Sequence, residues 1–124
     1  MRRNLLLLRE MRDAVEQIRD LAVGLTVDQV EADTIRRSAL LWHFTVLGEA
    51  ANQIPAEIRE AHPEVAWRAA TRLRNRIVHG YWSIEIETLL ATAADDLPTM
   101  SAQLQTLIAT LHDGDDPTGL DSQG

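Results

Sequence analysis

Apolar residues recur at alternating spacings of three and four near the start of the chain: Leu8, Met11, Val15, Ile18, Ala22 and Leu25. That spacing predicts an amphipathic helix ending at Gly24. Thr26 and Gln29 then form a capping box for a short helix reaching Val30 or Glu31. Asp33 or Thr34 can cap the next helix, which the pattern carries to about Ile54, just before Pro55. This helix is apolar on two sides: Leu40, Leu41, Phe44, Leu47 and Ala51 on one, Trp42, Val46 and Ala50 on the other. A helix with two apolar faces is central in a bundle or shared with a partner subunit. Gly48 in its middle is worse than Ala by about 1 kcal/mol, which points to close backbone packing there.

Pro55 fits the first turn of a short helix through about Ala61, and Pro63 is expected to do the same for the helix that follows. Ser83 is expected to cap a long final helix. Its stripe comprises Ile86, Leu90, Ala93, Leu97, Met100, Leu104, Leu107 and Leu111, and Pro98 predicts a kink or short break that keeps the apolar face. From Asp113 the chain is Gly, Asp, Pro, Thr, Ser and Gln with Leu120 as its one large apolar residue. Residues 1–112 therefore read as one helical domain and 113–124 as a disordered tail. No alternating strand pattern occurs. The expected fold is all-α, an up-and-down four-helix-type bundle with short connecting helices.

Composition narrows the classes. A chain of 124 residues is one domain with a single core. The lack of cysteine excludes disulfides, thiolate nucleophiles and cysteine-ligated zinc. No apolar run approaches the roughly 18 residues of a membrane span. Leu5 to Leu8 is too short for a signal-peptide core, so a soluble cytoplasmic protein is expected. Apart from histidine, every basic residue is Arg. The net charge of −7 argues against broad nucleic-acid binding. Yet Ala66–Trp82 holds four arginines and no carboxylate, so the basic charge is concentrated in one place.

That place is Leu73-Arg74-Asn75-Arg76-Ile77-Val78-His79-Gly80-Tyr81. On a helix, Arg72, Asn75, Arg76 and His79 share one face, Leu73 and Ile77 flank it, and Gly80 is a natural stop. The cluster suits phosphate. Cleaving an RNA phosphodiester through the neighbouring 2′-hydroxyl needs an acid, a base and stabilisation of charge on the phosphorane. A His titrates in the right range to move the proton. An Arg fork can hold two nonbridging oxygens, and an Asn can orient a hydroxyl. Arg74 lies about 140° around the helix from His79, so on a regular helix the two do not easily meet. Either the helix unwinds near Gly80 or a second subunit completes the site.

From spacing alone, an Arg-rich helix ending in His-Gly is more often an ordinary solvated face whose terminal cations suit the helix dipole. His43 reads as a core or interface residue, His62 as a turn residue before proline and His112 as a helix-end residue. Trp42, Trp67 and Trp82 read as packing residues rather than base-stacking platforms. Glu49 and Asn52 could be polar residues in a cleft, a buried hydrogen-bonded pair or an exposed rim.

Arg74-Asn75-Arg76-Ile77-Val78-His79-Gly80-Tyr81 resembles the R-N-x-x-x-H-x-Y signature of the HEPN superfamily, in particular its HepT-like toxin branch. Leu47-Gly48-Glu49-Ala50-Ala51 is similar to the I-G-E-A segment of that branch. His62-Pro63-Glu64 with Trp67-Arg68 is similar to its P-E-x-P-W-R lead-in, and Asp96-Leu97-Pro98 to its D-L-P. The likeness runs in order over about residues 4 to 111. Ala66 departs from the usual proline. Arg72 stands where a small residue is commoner and offers a second Arg spacing to His79.

The resemblance implies a metal- and cofactor-independent ribonuclease toxin, working as a homodimer with both motif helices in one cleft. By position, Arg74 would stabilise the transition-state phosphate, His79 would be the acid/base residue and Asn75 would orient substrate or hydroxyl. Arg72 and Arg76 would bind substrate, with tRNA among the candidate RNAs. The family also implies a minimal nucleotidyltransferase antitoxin that adenylylates the motif tyrosine, here Tyr81. The alternative is a non-catalytic helical module that binds or presents a substrate to a nucleotidyltransferase.

Overall fold

The computed structural model describes residues 2–115, with side chains to residue 111. Seven helices follow one another, and no strand occurs among the described residues. They are α1 (Arg2–Ala22), α2 (Val27–Ala32), α3 (Thr34–Gln53), α4 (Ala56–Ala61), α5 (Trp67–His79), α6 (Ile86–Asp95) and α7 (Leu97–Asp115). Three arms of the bundle are α1, α3 and α5, and the fourth is α6 continued by α7. The fold is the expected all-α bundle.

The starts and stops of the first half follow local chemistry. Helix α1 closes at Gly24, whose φ of +74° is a left-handed value that glycine adopts without strain. Thr26 and Gln29 form both bonds of the capping box on α2. Asp33 caps α3 by accepting the Arg36 backbone N–H at 3.0 Å.

Helix α3 is the central element, packed between α1 and α5. Its Leu40, Leu41, Phe44, Leu47, Ala50 and Ala51 are buried, facing core residues such as Leu8, Met11, Val15 and Ile18 of α1. The second apolar face is only partly covered, since Ala50 is buried while Trp42 is 63% exposed. Of the three tryptophans only Trp67 packs as expected, and Trp82 is 85% exposed.

Two expected boundaries shift. Pro63 does not open α5, because residues 62–66 form a turn in which the His62 carbonyl accepts both the Val65 N–H and the Trp67 indole N–H. Helix α5 therefore starts at Trp67. Ser83 does not cap the last arm, because its hydroxyl donates instead to the Gly80 carbonyl at 3.2 Å and closes a tight turn. Glu85 stands at the N-cap of α6. The short break expected near Pro98 falls at Asp96, and across it Ile86, Leu89, Ala93, Leu97, Met100, Leu104 and Leu107 keep one buried stripe. Helix α7 extends to Asp115, and the tail expected from residue 113 otherwise lies outside the described residues.

Candidate active site

Helix α5 is one-sided: Trp67, Ala70 and Ile77 are buried, while Arg72, Asn75, Arg76 and His79 are exposed. It rests chiefly on α3. The reason is Gly48. A methyl group there would stand 2.2 Å from Arg74 Cβ and 2.5 Å from the Ala70 carbonyl oxygen, so only glycine lets the helices approach this closely. The close approach expected from the sequence is thus explained, and the residue it brings in is Arg74.

Arg74 is held from two sides. Its Nη2 lies 3.0 Å from Glu49 Oε1, and its Nη1 donates to Asn75 Oδ1 at 2.9 Å. Its Nε is buried with no hydrogen-bond partner among the described residues. The guanidinium is therefore oriented by protein groups before any substrate arrives, while its side chain keeps 31% exposure. Glu49 stands on the rim, 49% exposed, and Asn52 is exposed beside it.

On the opposite face, Arg72, Asn75 and Arg76 line a groove of about 640 Å³ between α5 and the α6–α7 arm. The guanidinium groups of Arg72 and Arg76 make no hydrogen bond or ion pair among the described residues. His79 is exposed at the last position of α5, and Gly80 ends the helix by donating its N–H to the Arg76 carbonyl at 2.9 Å. Within one chain, then, Asn75 links the two faces, bonding to Arg74 while lining the groove with Arg72 and Arg76. No hydrogen bond joins Arg74 to His79; the partners of Arg74 are Glu49 and Asn75. The helix does not unwind at its end, so the angular separation foreseen for these two persists.

Tyr81 sits in the turn after α5, half-buried. Its hydroxyl lies 3.2 Å from Ser38 Oγ, and its ring meets the Trp82 ring edge-on at 4.8 Å. Arg37 organises this turn. It donates to the Tyr81 carbonyl at 3.0 Å, approaches Glu31 at 3.6 Å, and lies 5.2 Å and 5.7 Å from the Tyr81 and Trp82 ring centroids. Arg37 is buried and its role does not follow from the motif. One signal was available: it falls on the apolar stripe of α3, one turn before Leu40 and Leu41, where an unpaired charge is not tolerated.

Comparisons with known proteins identify the family of the chain. Residues 11–107 match the family model "Ribonuclease HepT-like", and the chain belongs to that family, within the HEPN superfamily. A "Probable ribonuclease HepT" of Thermococcus cleftensis is 25% identical over 81% of this chain and 91% of its own length. A protein of Methanocaldococcus jannaschii named "Putative RNase" is 24% identical over 89% of this chain and 88% of its own. Another of that name, from Caldanaerobacter subterraneus, is 22% identical over 82% of this chain and 88% of its own. No solved structure matches the chain.

Proposed function

We propose that this protein is a metal-independent endoribonuclease that acts as a homodimer. The observation that carries the reading is the row on α5: exposed, unengaged His79 follows Asn75, Arg76 and Arg72 on one face, with the Arg74 fork already oriented behind Asn75. In this reading the 2′-hydroxyl of RNA attacks the adjacent phosphorus and the 5′-oxygen leaves. His79 moves the proton and Arg74 neutralises the phosphorane oxygens. The products are a 2′,3′-cyclic phosphate and a 5′-hydroxyl. Because Arg74 and His79 stay on different faces of a regular helix, the second copy supplies the complementary group across a shared cleft. The exposed Trp42 and Val78, at 63% and 50%, favour such pairing.

The family resemblance extends this to a toxin held in check by a minimal nucleotidyltransferase, which would transfer AMP to the Tyr81 hydroxyl. Such a modification adds a bulky anion near the α5 end and competes with RNA phosphate for the arginines. The same residues also support a second reading, a non-catalytic module for a nucleotidyltransferase, favoured by one observation: Arg74 is already occupied by Glu49 and Asn75.

The test expresses the chain with and without a minimal nucleotidyltransferase partner and sequences the RNA ends that appear. Cleavage should survive EDTA, leave 2′,3′-cyclic phosphate, and vanish in His79→Ala with the fold retained. Tyr81→Phe should stay folded, cleave RNA, gain no AMP by intact mass and escape neutralisation. Activity lost on chelation and restored by Mg²⁺ would overturn the mechanism. An inactive wild-type chain that still binds the nucleotidyltransferase would favour the module.

A further inference from the structure

The groove between α5 and the α6–α7 arm has walls of opposite charge. Arg72 and Arg76, one helical turn apart, form the cationic wall. Asp95 and Asp96 form the facing wall, one at the end of α6 and one at the break before α7. Neither carboxylate accepts a side-chain hydrogen bond or ion pair among the described residues, so both walls keep their full bonding capacity toward a ligand. Between them the floor is apolar, with Leu97 and Met100 from α7 and Leu73 from α5. The volume of about 640 Å³ lies in the range of roughly 300–1,000 Å³ that accommodates small organic ligands.

These features match one kind of occupant. An apolar floor beside arginine planes accepts an unstacked nucleobase, the usual way in which single-stranded RNA is read. An ionised carboxylate is an acceptor only, so it selects a base edge that presents donors. Guanine presents two adjacent donors on its Watson–Crick edge, N1–H and the N2 amine, and one carboxylate can take both. Adenine and cytosine set an acceptor beside their single amine, and uracil flanks its one N–H with two carbonyls. On the other wall, Arg72 and Arg76 meet the phosphates on either side of that base. We infer that this groove is a guanine-selective subsite for the RNA strand, in which Asp95 or Asp96 accepts the base donors while Arg72 and Arg76 hold the flanking phosphates. The inference rests on the ribonuclease reading above and adds the base that the enzyme prefers next to the cut.

The test has a cleavage arm and a binding arm. In the first, single-stranded oligonucleotides with one G in an otherwise uniform sequence are cut by wild type, and the G is then replaced by inosine, which lacks the N2 amine. Cleavage should fall on one side of the G, with a preference of about tenfold that inosine substitution reduces severalfold. The double variant Asp95→Asn/Asp96→Asn should level the preference among bases. The inosine substitution leaves the protein untouched, so the test does not depend on how the variant folds. In the second arm, the His79→Ala protein is titrated with guanosine, adenosine, cytidine and uridine 5′-monophosphates by NMR. The guanosine nucleotide should bind most tightly, and the Asp-to-Asn changes should remove its advantage. Cleavage without base preference, together with equal binding of the four nucleotides, overturns the subsite. If no RNA is cut but guanosine monophosphate is selectively bound through Asp95 and Asp96, the ribonuclease reading fails and the guanine subsite stands.

Discussion

On one face of α5, Arg74 lies against Gly48, paired with Glu49 and bonded to Asn75. On the other, Arg72 and Arg76 look across an open groove, and their guanidinium groups have no hydrogen-bond or ion-pair partner among the described residues. The residue types are identical, and their surroundings differ. A guanidinium held by a carboxylate and an amide has already lost much of its rotamer freedom, of order 2 kcal/mol for a free Arg. It can meet developing charge without reorganising, which is what transition-state stabilisation needs. An unpaired, solvated Arg keeps that freedom and suits binding, where its contribution is mainly electrostatic and screened by salt.

The largest expected effect separates the two faces directly. Arg74→Lys keeps the charge and removes the planar fork, so kcat should fall by about 100-fold with a small change in KM. Arg76→Lys should leave kcat within about threefold and act through KM and its salt dependence. Steady-state kinetics at two ionic strengths would read both. Equal losses at the two positions would erase the distinction between them.

Next in size is the packing that brings Arg74 into place. Gly48→Ala puts a methyl group 2.2 Å from Arg74 Cβ, so α5 must move off α3. A loss of about 1–3 kcal/mol in denaturant unfolding is expected, together with reduced cleavage. Retained stability would mean that α5 shifts freely and that Arg74 is not held by the backbone contact.

A smaller effect isolates the carboxylate. Glu49→Gln removes the charge from a half-exposed pair, so stability should change by less than about 1 kcal/mol. The oriented fork loosens, and kcat should fall severalfold while the melting temperature stays nearly constant. Unchanged kcat would show that Asn75 alone positions Arg74.

The smallest expected effect lies on α3, away from both faces. Burial holds the imidazole of His43 below its ordinary value of 6.5. The unfolded chain therefore binds the proton more readily than the folded one. Its contribution is present above about pH 6.5 and is lost as pH falls toward the lowered value in the folded state. Melting curves from pH 7.5 to 5 should show this decline, and His43→Gln should flatten it.

Much of this was legible in the chain. The three-and-four spacing of apolar residues marked the helices, because each must bury one stripe against its neighbours. The Thr26–Gln29 box and the Asp33 cap could be read locally, since capping joins residues three apart. Gly48 announced a close approach, and Arg72, Asn75, Arg76 and His79 announced a shared face. Less legible were boundaries where alternative local bonds compete. Ser83 could cap a helix or close a turn, and only the folded chain shows its hydroxyl donating to Gly80.

What the sequence by itself determined is the set of helices, the face on which each side chain stands and the motif on α5. Tertiary structure alone decided the partners: that Gly48 brings Glu49 to Arg74, that Arg37 reaches the Tyr81 turn 44 residues away, and that Asp95 and Asp96 face Arg72 and Arg76. The physical reason is that helical period specifies direction around one axis and nothing about what lies opposite. The opposing residue depends on how closely two helices approach, and here one missing methyl group sets that distance.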